Sequence, residues 1–200
     1  MSAVSGRPEA AEGNLTGLID SVVTPNAMYG EMVYQAHPNE FSPVGESAYC
    51  GAGVIHTMYL HTNPATKVLS LFPGLTWRNA SFHLLAADGG LLVSASRTAG
   101  STAFLRIFSK KARNITINMP NDPAWNGGGG GAGGGQAPKA APATTAVTSR
   151  GHGMWSFALP AESAVVLYVS GTPPFVIQPV PSNTTEENWF GYTRQMQPLH

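Results

Sequence analysis

Between Lys67 and Ser109 the chain sets short apolar runs between glycines. Val68-Leu69-Ser70-Leu71-Phe72 stops at Pro73-Gly74; Ser81–Ala86, Leu91–Ser96 and Thr102–Ser109 follow, with Gly89-Gly90 and Gly100 between them. Runs this short, punctuated this way, predict consecutive strands and not helices. In the last run Phe104, Arg106 and Phe108 share one strand face, while Leu105 and Ile107 take the other. That alternation predicts a sheet with one buried face and one partly covered. Ile115–Met119 extends the block. Gly153–Leu159 and Ala164–Val169 resume it as two further strands, joined by a turn at Pro160–Ser163.

Ahead of the strands the period changes. Leu15, Leu18, Ile19, Val22 and Val23 fall at helical spacing, and Thr24-Pro25-Asn26 ends that helix. Ala27–Tyr34 is expected to add another turn or two of helix, and His37–Pro43 a loop. Glu46–His61 then reads as a helix that is apolar nearly all round. Its small residues Ala48, Gly51, Ala52 and Gly53 alternate with Tyr49, Val54, Ile55, Met58 and Tyr59. Glycine costs about 1 kcal/mol relative to alanine inside a helix, which is tolerated where a neighbouring helix must come close. A helix with no polar face is a buried helix, and the sequence offers too few others to bury it. The expectation is a piece of something larger, whether a fragment, a truncated product or a retained remnant.

The fold class expected is α+β and mainly β: an antiparallel β-sandwich preceded by a few helices. Residues 1–14 are expected to be a disordered N-terminus, 15–63 the helices, and 64–170 the sandwich. Asn126–Arg150, a near-pure glycine run from Gly127 to Gly135 followed by Ala, Pro and Thr, is expected to be a flexible insert (126–150). Residues 171–200 form a proline-rich tail whose Phe175-Val176-Ile177 and Trp189-Phe190 are expected to lie extended against the body.

Composition then removes several functions. Hydrophobic residues make up 42% of the chain, enough for a core, but only 11% are charged and the formal net charge is zero. A nucleic-acid or anionic-membrane surface needs a basic excess, so neither partner is expected. No apolar run approaches the roughly 20 residues that span a bilayer, and no signal peptide is visible. A single cysteine, Cys50, leaves no disulfide framework and no four-cysteine zinc site, and reads as a small buried hydrophobe. His56 and His61, five apart, would lie about 140° apart on a helix, and no acid completes a metal face. His37, His83 and His152 are isolated, and the glycine run lacks the ending of a phosphate loop. No metal and no cofactor are expected. Four glycosylation acceptors occur, at Asn14, Asn79, Asn114 and Asn183, and point to a secreted, extracellular parent.

The order of segments resembles the C-terminal end of glycoside hydrolase family 95, the α-L-fucosidase-like six-hairpin enzymes. His56-Thr57-Met58-Tyr59-Leu60-His61 stands where that family has a segment like EMLLQS on its last barrel helix. Val68–Leu75 resembles its IHLLPALP strand, Trp77 its following tryptophan, and Ser81–Arg97 its FRDLRAEGGFLVSAERKDG segment. The strand AESAVVLYVSG resembles the family's closing strand. The resemblance implies that 15–63 are terminal helices of an (α/α)6 barrel and 64–170 the β-sandwich behind it, with most of the barrel absent. It also implies a role for Glu46, twelve residues before Met58, where the family has an aspartate in a segment like IDGNFG. Glu46 would be the general base of an inverting hydrolysis, with a separate acid elsewhere in the barrel. One carboxylate cannot run a two-carboxylate reaction, so the isolated chain is expected to be inactive.

The partner implied is the rest of the hydrolase barrel, or carbohydrate. Trp77 and Trp155 are the candidate carbohydrate contacts, weighed against filling a sandwich core. Two other readings stand beside this one: a non-catalytic carbohydrate-binding or structural β-sandwich, and a partner-binding module that self-associates through the exposed helix Ala48–Leu60.

Overall fold

The strand pattern survives almost residue for residue where glycines punctuate it. A computed structural model describes residues 7–22, 29–32, 41–119, 122–125, 137–171 and 173–177. The fold is mainly β, with two five-stranded, largely antiparallel sheets and few helices. The glycine-rich run and Trp189-Phe190 lie outside the described residues.

Helix α1 spans Pro8–Val22, so residues 8–14 of the expected unstructured N-terminus are helical, while residues 1–6 lie outside the described residues. The local reason is a good start signal: proline in the first turn, where its missing N–H is no loss, and Glu9 near the positive end of the helix dipole. The carboxylate of Glu12 then accepts from both the backbone N–H and the hydroxyl of Thr76, fastening this turn to the loop ahead of the strands. The turn of helix expected at Ala27–Tyr34 is instead β1 (Tyr29–Met32), paired antiparallel with β2 (Phe41–Val44). Gly30 and Pro43 sit opposite one another in this two-stranded ladder, an edge where proline removes no needed donor.

Helix α2 spans Gly45–Tyr59 and passes straight into β3 (Leu60–Thr62). The expected helix thus stops two residues early, and His61 belongs to a strand, paired with Ser70. β4 (Leu69–Leu71), β5 (Ala80–Ala87), β6 (Leu91–Thr98), β7 (Ser101–Ser109) and β8 (Arg113–Asn118) follow. Gly89, Gly90 and Gly100 take positive φ at the two tight connections, which is why the punctuation was readable.

The expected insert 126–150 contains one strand, β9 (Lys139–Ala141), and all but the last residue of another, β10 (Val147–Gly151). Their side chains bury little, and hydrogen bonding to a neighbour is what makes them strands: β9 pairs with β12 (Ser163–Tyr168) and β10 with β11 (Met154–Leu159). One sheet runs β10-β11-β8-β4-β3, the other β5-β6-β7-β12-β9. The single parallel ladder joins β4 to β8, Leu69 opposite Ile117.

Buried residues from both sheets fall in one hydrophobic cluster, with Leu69, Ile117 and Phe157 from the first and Val93, Leu105 and Val165 from the second. Met58 at the end of α2 belongs to the same cluster. On β7, Leu105 and Ile107 enter it while Phe104 lies outside it, as alternation requires. Phe104 is nevertheless buried, because Phe175 of the tail stacks on it at 5.1 Å. Among the described residues no helix is long and apolar enough to cross a membrane.

Candidate functional site

A concavity lies over the face of β5, β6 and β7 that carries Phe104 and Arg106. It has a volume of about 890 Å³ and runs from Tyr59 and Trp77 past Asn79, His83 and Ser94 to Arg106 and Phe175. A β-bulge shapes it. Phe82 pairs with Ala95 and Leu85 with Val93, so His83 and Leu84 together oppose Ser94. Leu84 takes the left-handed conformation (φ 54°) and its N–H donates to Ser94 Oγ at 2.9 Å. Ser94 Oγ also lies 3.3 Å from His83 Nδ1.

That serine–histidine contact does not make a nucleophile and base. Ser94 is only 2% exposed and its oxygen is already taken by the bulge N–H. Among the described residues no carboxylate lines the groove, so none of them orients the imidazole from behind or forms an acid–base pair for glycoside hydrolysis there. The groove can hold a ligand between aromatic and polar walls; cleaving one needs groups it lacks.

At the other end of the groove four rings meet. Tyr59, Phe72 and Phe82 pack edge to face, with centroids 5.4 to 6.0 Å apart, and Trp77 leans on Tyr59 at 6.5 Å. Burial pushes the Tyr59 hydroxyl above its ordinary pKa. Arg97 closes this corner from below, donating to the carbonyls of Leu75 (3.0 Å) and Gly100 (3.1 Å), its guanidinium 6.0 Å from the Phe72 ring centre. His56 on α2 reaches the carbonyl of Ala86 at 3.0 Å, tying the helix to β5.

The two tryptophans proposed as sugar contacts part company. Trp77 is 50% exposed. Trp155 is 2% exposed, in the core, and its indole N–H is spent on the carbonyl of Trp125. Alternation puts Trp155, Phe157 and Leu159 on one face of β11, and that face is the inner one. Trp155 is therefore core and touches no ligand.

Glu46 is the second residue of α2, so its position in the first turn of a helix agrees with the sequence; its side chain lies outside the described residues, as does that of Cys50. Three described carboxylates are engaged: Glu12 by Thr76, Asp122 by the Thr102 and Ala124 N–H groups, Asp88 by Lys67. Among the described residues no cluster of His, Cys, Asp or Glu could hold a metal.

A smaller cavity of about 330 Å³ lies by the turn between β5 and β6. Lys67 Nζ and Asp88 Oδ2 are 2.8 Å apart there, and this bond together with the lysine charge holds the Asp88 carboxyl below the usual range. Arg113 lies so close over Gly89 that a Cβ on the glycine would stand 2.2 Å from the guanidinium. These charges pin the turn to the neighbouring sheet, a structural task that sequence pattern does not reveal.

Asn14 is exposed on α1, Asn79 exposed at a bend before β5, and Asn114 exposed on β8; Asn183 lies outside the described residues. The chain matches no protein-family model and no curated protein.

Proposed function

We propose that this polypeptide is the C-terminal supporting region of a secreted, fucosidase-like glycoside hydrolase. In this reading α2 is the last helix of an (α/α)6 barrel, the two sheets are the layers of the β-sandwich behind it, and hydrolysis needs the rest of the barrel. Glu46, early in α2, is then the general base, and the acid lies on another barrel helix.

The observation that carries the proposal is the two-sided apolarity of α2. Its Met58 and Tyr59 are seated against the sheets, and His56 is bonded to β5. Val54 and Ile55 on the same helix are 44% and 43% exposed, and a Cβ added at Gly51 or Gly53 would meet nothing. A helix apolar on both sides fits between two bodies, and small residues let the second come close. The order of segments that resembles family 95 supplies the identity of that second body. A free-standing carbohydrate-binding sandwich is less well supported, since of the described tryptophans Trp77 alone is exposed.

Two measurements test the proposal. Sequencing the transcript upstream of the Met1 codon is expected to find an in-frame region encoding further helices of a barrel. The protein encoded by that longer frame is expected to release fucose from fucosylated oligosaccharides, and to lose at least a hundredfold in rate on Glu46→Gln, about the lower end of what a general base contributes. A stop codon directly upstream, or fucosidase activity in the 200-residue chain alone, would overturn it.

A further inference from the structure

Of the three described acceptor sequences, Asn79-Ala80-Ser81 is the one whose asparagine stands at a bend beside an exposed aromatic ring. Asn14 lies within α1 and Asn114 within β8, a strand with neighbours on both sides. Asn79 Oδ1 accepts from the Ala99 N–H at 2.9 Å, which holds the side chain and employs its oxygen. The amide nitrogen, the atom that takes a sugar, is left for other use. Two residues earlier, Trp77 is held from one side by the edge of Tyr59 (centroids 6.5 Å apart, 75° between planes) and is half exposed on the rest. The bend at 78–79 brings both residues to the rim of the same groove.

We propose that Asn79 carries an N-linked glycan whose first N-acetylglucosamine lies against the exposed ring of Trp77. The donor is an oligosaccharide on a lipid diphosphate. Asn79 Nδ2 forms the bond to the anomeric carbon, the sugar–phosphate bond breaks, and the amide proton leaves with the lipid diphosphate. Only the nitrogen changes partner, so Oδ1 keeps its bond to Ala99. The sugar ring presents a face of C–H groups, which the electron-rich face of an indole attracts. An apolar ring otherwise left in water is covered by a group that the chain itself anchors two residues away. This rests on the secreted part of the proposed function.

The test supplies the export route, so that the chain's own targeting is not in question. The whole 200-residue chain is produced behind a cleavable leader in a eukaryotic secretory host, with Asn14→Gln, Asn114→Gln and Asn183→Gln so that Asn79 is the remaining acceptor. Glycopeptide mass spectrometry reads occupancy. One portion is trimmed to the single core sugar by an endoglycosidase, and another is stripped completely by an amidase that converts the asparagine to aspartate. We expect high occupancy, and a melting temperature about 2–4 °C higher for the single-sugar form, the size of shift that one stacking contact gives a chain of this length. Trp77→Ala is expected to erase that difference and Trp77→Phe to keep part of it.

An empty Asn79, equal melting temperatures, or a difference that survives Trp77→Ala overturns the proposal. If the triple variant folds poorly, the same comparison is made between the otherwise unaltered chain and Asn79→Gln, with the same outcomes deciding. Export of the native protein is read separately, in the extracellular fraction of its source cells. Its absence there, with Asn79 occupied and stabilising in the host, would overturn the secreted reading and leave the site.

Discussion

Trp155 donates its indole N–H to the backbone carbonyl of Trp125 at 3.1 Å, and Trp125 donates its own to the carbonyl of Thr102 at 2.6 Å. Trp155 is on β11 and Thr102 on β7, so the relay crosses from one sheet to the other through a buried turn. Asp122 completes it, accepting from the Thr102 N–H at 2.6 Å and the Ala124 N–H at 3.1 Å. Thr102 thus has both backbone groups satisfied by one four-residue segment. Trp125→Phe keeps most of the ring but leaves the Thr102 carbonyl unpaired, and is expected to cost about 1–3 kcal/mol. Trp125→Ala adds a cavity, for about 3–5 kcal/mol. Urea unfolding of each variant measures both, and equal midpoints for wild type and Trp125→Phe would show the relay to be idle.

The exposed face of α2 makes a prediction of different size in two contexts. In the 200-residue chain, Val54→Ser with Ile55→Ser should change stability by no more than about 0.5 kcal/mol per site, as surface substitutions do. Any self-association, followed by sedimentation velocity, should fall. In the longer protein that the proposed function requires, the same pair would sit at a buried helix contact and should cost about 1–3 kcal/mol per side chain. Equal effects in the two contexts would mean that nothing covers the helix.

Asp88 supplies the pH dependence. Its folded pKa lies below the ordinary value because of Lys67. A depressed carboxylate contributes stability that is complete above its unfolded pKa and is lost as pH falls through the folded one. The contribution is therefore intact at neutral pH and disappears below about pH 3.9. It is small, because the pair is exposed. Lys67→Met should return the Asp88 titration, followed by carboxyl NMR shifts, toward the ordinary value, and an unmoved curve would contradict the assignment.

Leu84 is a bulky residue in the left-handed region, opposite Ser94 across the bulge. Leu84→Gly retains the N–H that Ser94 needs and relieves the strained backbone, so it should stabilise the native bulge by up to about 1 kcal/mol, less the entropy that glycine adds to the unfolded chain. Leu84→Pro removes the N–H and should destabilise. The two urea midpoints should fall on opposite sides of wild type.

How much of this was legible depends on what each signal reports. The meander from Ala80 to Ser109 was readable because glycines at positive φ end each run and the alternation is regular. β9 was not, since Lys139-Ala140-Ala141 has no strand pattern of its own and is a strand only because β12 offers an edge. Tyr29–Met32 failed for the same reason: four residues paired to a proline-containing partner carry too little periodicity. The bulge that shapes the groove has no glycine to announce it. Trp77 and Trp155 could not be separated by type, because a strand pattern assigns residues to two faces without saying which is inside. Alternation along β7 set Phe104 on the face opposite Leu105 and Ile107, but it could not show that Phe175 would stack there and bury it.

The parallel ladder between β4 and β8 closes a long loop of chain. Leu69 and Ser70 must meet Ile117 and Asn118, yet the three-stranded meander β5–β7 lies between them in the chain. Loop closure over that span is entropically cheaper once the intervening residues have already condensed into hairpins. A meander already condensed would bring these distant ends together, and a substitution that destabilises its hairpins is expected to slow closure of the first sheet in stopped-flow refolding.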